Sequence, residues 1–248
     1  MTNIIQDVKP AGTASAYVEK PFDEAKAELE SAGYEIISLP QFAKLRMEQG
    51  KDSHVANYGD YVREGFLYVP KKGKFLVRKS PIMTNAKEAT QCHRKGNEFY
   101  LTDKQVEESL ADSIEVKLKD GETIPTKRFG DNELTAYAFG ENAKAYGEFL
   151  NEAGIKEMPV YTADIEQKPF ARQAWLHRLG VGYRSVLNGN RDLNYDLAVR
   201  GVRNASADEG SASVARNLYS PEHFFKACTK AGIVIQGDLE TKIRGNLK

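Results

Sequence analysis

Residues 168–203 read KPFARQAWLHRLGVGYRSVLNGNRDLNYDLAVRGVR and hold the single tryptophan of the chain, six arginines and two closely spaced aspartates. Pro169 suits the first position of a helix, where a missing N–H costs nothing, and Gly180 suits a left-handed stop. Residues 169–179 are therefore predicted as a three-turn helix. At about 100° per residue, Phe170, Ala171, Ala174, Trp175, Leu176 and Leu179 sweep one apolar arc and leave Gln173 and His177 on the polar side. Arg178 projects inside that arc beside Ala171 and Ala174. A buried guanidinium needs a carboxylate, a carbonyl or an anionic ligand, which makes Arg178 a candidate anion holder.

Working outward, FDEAKAELESA (22–32) is a helix former with acids in its first turn and Gly33 at its end, and YEIIS is predicted as a short strand. Pro40 opens a second helix, with Phe42 and Leu45 on its core face, and Gly50 closes it. The loop KDSHVANYGDY (51–61) mixes His54, Asn57, Tyr58, Asp60 and Tyr61, as a binding loop or a surface connection would. GFLYVPKKGKFLVRKSP (65–81) is the clearest hairpin, with a basic tip.

Thr102 and Gln105 fit a capping box before a short helix. Ile114, Val116 and Leu118 alternate with charged residues, and Asp120-Gly121 supplies a tight turn before Thr123–Thr126, so a second hairpin is predicted over 114–126. The spacing from 131 to 153 gives two helices or one kinked helix, and MPVYT a strand. Near the C-terminus, ASADEGSAS (205–213) reads as a linker, residues 220–231 as a helix, IVIQG as a strand and DLETKIRGNL as a last helix.

These elements predict an α+β fold in which antiparallel hairpins pack with roughly eight helices, with a mixed sheet also possible. Residues 1–20, rich in small residues, are predicted as a flexible N-terminal arm. Residues 21–248 would form a single domain, with a possible subdivision near 166.

With 248 residues, 41% of them hydrophobic and 28% charged, the chain can bury a full core, which excludes global disorder. No run approaches the roughly 18 apolar residues of a membrane span, and MTNIIQDVKPAG lacks a basic start followed by an apolar block. A cytoplasmic location and two reduced cysteines, Cys92 and Cys228, are expected.

The formal net charge is zero, yet the charges are segregated: residues 61–95 total +7, 96–166 total −9 and 167–204 total +5. Such blocks either neutralise each other or present opposite faces.

No zinc, P-loop, dinucleotide or serine-hydrolase signature is present. Cys92-His93, read as part of an extended segment, places its side chains on opposite faces, unsuited to one metal. Asp192-x-Asn194-x-Asp196 opens like a calcium loop, but Leu197 and Arg203 stand where that loop needs Gly and a bidentate acid. A weaker Mg²⁺ role for Asp192 and Asp196 with a phosphate-bearing ligand remains, against the alternative that they cap a turn or pair with Arg191 and Arg200.

The positive signal is cations mixed with rings: Lys71, Lys72, Lys74, Arg78 and Lys79 with Phe66, Tyr68 and Phe75, and Arg184, Arg191, Arg200 and Arg203 with Tyr183 and Tyr195. Arg and Lys meet phosphates, and rings stack on unpaired bases, so nucleic-acid binding is the leading expectation. Two others stand beside it. One is an enzyme on a nucleotide or phosphorylated substrate, with Arg178 and Arg184 holding the anion and His177 carrying a proton. The other is an adaptor or homo-oligomer whose +7 and −9 blocks meet between subunits. No membrane partner is expected.

Overall fold

Phe170–Leu176 is a β-strand in the computed structural model, which describes residues 5–7, 15–180, 185–194 and 197–203. The helix predicted over 169–179 is thereby corrected. The strand is paired along both edges and packed on both faces. Phe170, Ala174 and Leu176 belong to one apolar cluster, and Ala171 and Trp175 to another. A strand buried on both faces reads as a continuous apolar run, which fills a helical arc as readily as it fills two strand faces. A register shift between Gln173 and Trp175 removes what alternation was left.

In chain order the elements are β1 (Ile5–Asp7), β2 (Ser15–Lys20), α1 (Phe22–Ser31), β3 (Glu35–Ile36), α2 (Leu39–Gln49), α3 (His54–Asn57), β4 (Asp60–Val69) and β5 (Gly73–Val77). There follow α4 (Ala86–Arg94), β6 (Phe99–Tyr100), α5 (Asp103–Leu110), β7 (Ser113–Glu115), β8 (Thr123–Pro125), α6 (Glu133–Phe139) and α7 (Ala143–Glu152). The described part closes with β9 (Glu157–Tyr161), β10 (Phe170–Leu176), β11 (Leu187–Asn188) and β12 (Leu197–Val202). No helix among the described residues is long and apolar enough to cross a membrane.

The strands form one mixed sheet in the order β1-β2-β12-β4-β10-β11-β9-β8. β4 and β10 are antiparallel at its centre, whereas β12 runs parallel to β4 and β11 parallel to β9. Residues 15–20, expected in a flexible arm, are instead β2, paired along its whole length with β12 from Ser15↔Val202 to Lys20↔Leu197. Their small residues suit the packing: Ser15 and Ala16 are both buried, and Ala16 shares an apolar cluster with Ala25 and Leu29 of α1.

Contacts divide the chain into Met1–Val202 and Arg203–Lys248, and the first unit runs through residue 166 without a break. The linker and helices predicted beyond 204 lie outside the described residues.

The basic hairpin is present, β4 and β5 pairing from Gly65↔Val77 to Val69↔Gly73. The second predicted hairpin is not. β7 pairs with β5 and β8 with β9, so two strands joined by a tight turn separate onto different neighbours. The Asp120 side chain explains part of this, because it accepts the N–H of Thr162 beyond β9 at 2.8 Å and ties the turn to that strand.

Local signals hold elsewhere. Thr102 and Gln105 form both bonds of a capping box at α5, and Ser38 and Gln41 form another at α2. On α7, Gly147 lies against the Thr126 carbonyl, where an added Cβ would sit 2.2 Å from that oxygen. Gly147→Ala gains about 1 kcal/mol of helix propensity and meets backbone that cannot yield. A net loss of about 2 kcal/mol is expected, read as a lower urea midpoint with unchanged slope.

Candidate functional site at the end of β10

β10 delivers Trp175 and His177 to the edge of the sheet where β4 begins, since Leu176 pairs with Asp60. Gly59 makes this possible. Its α-carbon faces the indole so closely that a Cβ would stand 2.7 Å from Trp175 Cζ2. Behind the two strands lies Arg46 of α2, fully buried. Its Nε donates to the Val55 carbonyl (3.0 Å), Nη1 to Tyr146 Oη (2.9 Å) and Ser185 Oγ (3.1 Å), and Nη2 to the carbonyls of Tyr58 (3.3 Å) and His177 (2.8 Å). All five acceptors are neutral oxygens, and no carboxylate among the described residues pairs with this guanidinium.

Arg191 adds a second cation, its guanidinium 5.1 Å from the Trp175 ring centre and its Nη2 3.4 Å from His177 Nε2. It too has no carboxylate partner among the described residues, and its Nε is buried with no acceptor. His177 accepts the Arg178 backbone N–H at Nδ1 (3.0 Å). Burial first, then the positive charges of Arg191, Arg178 and Arg46, push its pKa down to about 4. At neutral pH the ring is uncharged and a weak base, far from the range that suits a proton carrier.

A cluster of rings beside Arg200, whose guanidinium is 5.5 Å from the Tyr17 ring centre, reaches the surface. His54 is 4.4 Å from Tyr17 and 4.2 Å from Tyr58, the two tyrosine rings are 6.3 Å apart, and Tyr58 is 44% exposed. The sequence marked 51–61 as polar and aromatic without showing that Arg46 would fasten it to β10. A signal for Arg46 did exist: it follows Phe42 by four residues, a charge on the apolar stripe of α2.

The other predicted site residues are dispersed. Lys71 and Lys72 are exposed at the β4–β5 turn, which lies at the far end of β4 from His177, about 30 Å away over ten strand residues. Lys74 donates to Thr162 Oγ1, Arg78 stacks on Tyr137 at 4.4 Å, and Lys79 is exposed midway. The two basic segments therefore do not share one end of the sheet. Arg200 is fully buried, its Nε donating to Asp60 Oδ2 at 3.0 Å, which puts it out of reach of a phosphate backbone and corrects its assignment as a surface contact. Arg203 is half-buried after β12. Arg184 and Asp196 lie outside the described residues.

Asp192 is bound by Arg172, which also holds Glu98, rather than by Arg191 or Arg200. An arginine thus occupies the carboxylate that a metal would use. Cys92 and His93 lie on α4, not on an extended segment, and His93 accepts the Leu193 N–H at 2.9 Å. Burial above all pushes the His93 pKa down to about 4. No group of three or more His, Cys, Asp or Glu side chains among the described residues is placed to hold a metal ion.

The mixed sheet with helices on both sides is similar to the C-type lectin fold. The similarity is to a solved chain described under the words "accommodation of massive sequence variation in Nanoarchaeota by the C-type lectin fold", with a TM-score of 0.55 and 15% identity over 79% of this chain and 99% of that one. At that identity the likeness is one of fold alone. The chain matches no family model and no curated protein.

Proposed function

We propose that the protein is a nucleic-acid-binding module whose contact surface is the end of β10. Arg178 and Arg191 meet phosphates there, and Tyr58 offers a ring to an unpaired base. The observation that carries this reading is the Arg191 guanidinium, which has no carboxylate of the described residues beside it and an Nε buried without an acceptor. A buried guanidinium is costly even when its hydrogen bonds are made, and an anionic ligand supplies the missing countercharge. Exposed rings beside cations are the pairing that single strands use, base on ring and phosphate on guanidinium.

The test is fluorescence anisotropy with labelled single-stranded and duplex DNA and RNA. If about three phosphates of a single strand are engaged, log K falls with log salt at a slope of about −2, an affinity loss of about twentyfold between about 50 and 200 mM salt. Changing Arg178 and Arg191 together to Gln should remove that binding. Changing Lys71, Lys72 and Lys74 together to Glu should leave it nearly unaltered, because the turn is at the opposite end of β4. Binding lost in the lysine variant and kept in the arginine variant would move the surface to the hairpin, and no binding at low salt to any probe would end the reading.

A further inference from the structure

Each strand from β7 through β5, β4, β10, β11 and β9 to β8 pairs with the next, so β7 and β8 are the two ends of that run. Both ends line one groove of about 310 Å³, with Glu115 and Lys117 on one wall and Thr123 and Pro125 on the other. The main chain of both walls is open. Val116 N–H donates to the Lys74 carbonyl, so by the alternation of an antiparallel ladder the N–H and C=O groups of Ser113 and Glu115 point away from β5. Thr126 N–H donates to the Lys156 carbonyl and Val160 N–H to that of Glu122, which turns the N–H and C=O of Thr123 and the C=O of Pro125 away from β9. Among the described residues no further strand pairs with either edge.

Sheet edges are blunted by shortness, charge and proline. These two have all three: each strand is three residues long, Glu115 ends one with Lys117 just beyond it, and Pro125 ends the other. Such edges refuse a long strand of arbitrary sequence and leave room for a short one of matching charge. The charges of the groove decide which. Glu133 lies in the first turn of α6 and Asp131 just before its N-cap, where the first N–H groups of the helix offset negative charge. Glu115 Oε1 is turned toward Gly73, 3.4 Å from where a Cβ on that residue would stand. Lys117 and Arg128 have no such compensation. Both line the groove, both are exposed, and neither has an ion pair among the described residues.

We propose that the gap between β7 and β8 docks a short extended segment of a partner protein, its main chain pairing with the outer edge of β7, an apolar side chain lying over Ile124 and Leu134, and a carboxylate meeting Lys117 and Arg128. An edge of three residues is about 10 Å long and takes three or four residues of such a segment. Strand addition of this kind draws its affinity from main-chain hydrogen bonds and its selectivity from alternate side chains. The carboxylate adds charge-assisted bonds, for which the planar guanidinium of Arg128 is suited. This surface goes beyond the nucleic-acid reading and does not depend on it.

The experiment titrates the isotope-labelled full chain with short acetylated and amidated peptides and follows its backbone amides by NMR. One peptide alternates valine with glutamate, a second alternates valine with lysine, and a third is the glutamate peptide N-methylated throughout, which has no N–H to donate. The glutamate peptide is expected to shift the amide resonances of Ser113, Glu115 and Thr123, and the other two to bind at least about tenfold more weakly. Changing Lys117 and Arg128 together to Glu should weaken the glutamate peptide by about tenfold and make the lysine peptide the better ligand. That gain of binding is one an unfolded variant could not show. The proposal is overturned if the lysine peptide binds the parent chain as well as the glutamate peptide does, if N-methylation leaves affinity unchanged, if the shifted amides lie elsewhere, or if no peptide binds at millimolar concentration. Shifts of the same three amides that grow with protein concentration in the absence of peptide would give the gap to a second copy of the chain, and would likewise overturn it.

Discussion

Arg46→Met is expected to lower the stability of the fold by about 4 kcal/mol and its melting temperature by about 10 °C. Methionine fills much of the volume and stays over Phe42, whose ring now lies 4.4 Å from the guanidinium. It donates nothing, so the carbonyls of Val55, Tyr58 and His177 lose the hydrogen bonds they receive from Arg46. Each buried acceptor left without a donor costs about 1–3 kcal/mol, an amount larger than the desolvation relieved by removing one charge. Arg46→Lys is expected to recover little, because a single ammonium cannot reach acceptors on α3, on α7 and at His177 just beyond β10 together. Chemical denaturation of the two variants measures this; a loss below about 1 kcal/mol for Arg46→Met would mean that the guanidinium is not the fastening described above.

Glu64→Gln should change how stability depends on pH. Glu64, on β4, is buried, and its Oε2 accepts the N–H of Leu39 at the start of α2 (2.9 Å). Burial pushes its pKa up to about 7, against the lowering influence of that N–H and of Arg63 and Arg78. The protonated form is the one the fold prefers. Its stabilisation is complete below about pH 4.5, the ordinary value, and is lost as the pH rises through about 7. The loss is on the order of 3 kcal/mol. Glutamine mimics the protonated acid and keeps an oxygen for Leu39, so the variant should be more stable than the parent at about pH 8, with no decline from this group between about pH 5 and 8. Urea midpoints across that range decide it, and parallel profiles for the two proteins would show that Glu64 is not the group responsible.

Legibility in the sequence followed the range of the interactions. The β4–β5 hairpin, the capping box at Thr102 and the end of α7 at Gly154 are each specified within a few residues, and the sequence shows them. The 114–126 segment has equally good local signals, yet its strands separate, Ile114 pairing with Leu76 and Ile124 with Met158. Nothing within thirteen residues announces that. β10 failed differently: its apolar residues serve two cores, and a two-sided strand has no period of its own. At the candidate site, charge and aromatic content were readable, but distance was not. Arg200 reads like its neighbour Arg191 until Asp60, 140 positions earlier, is seen beside it.

The place of β12 has a consequence for how the protein is made. It is the last strand described and sits between β2 and β4, so residues 15–20 wait for residues 197–202 before their inner edge is filled. During synthesis, a chain whose ribosome has not yet released residue 197 carries β2 with its inner edge unpaired and β4 open at Tyr61, where Val199 later pairs. Open edges of this kind pair with one another between nascent chains, and contacts so distant in sequence form slowly. A chain arrested upstream of β12 therefore carries an open strand edge that the finished chain does not.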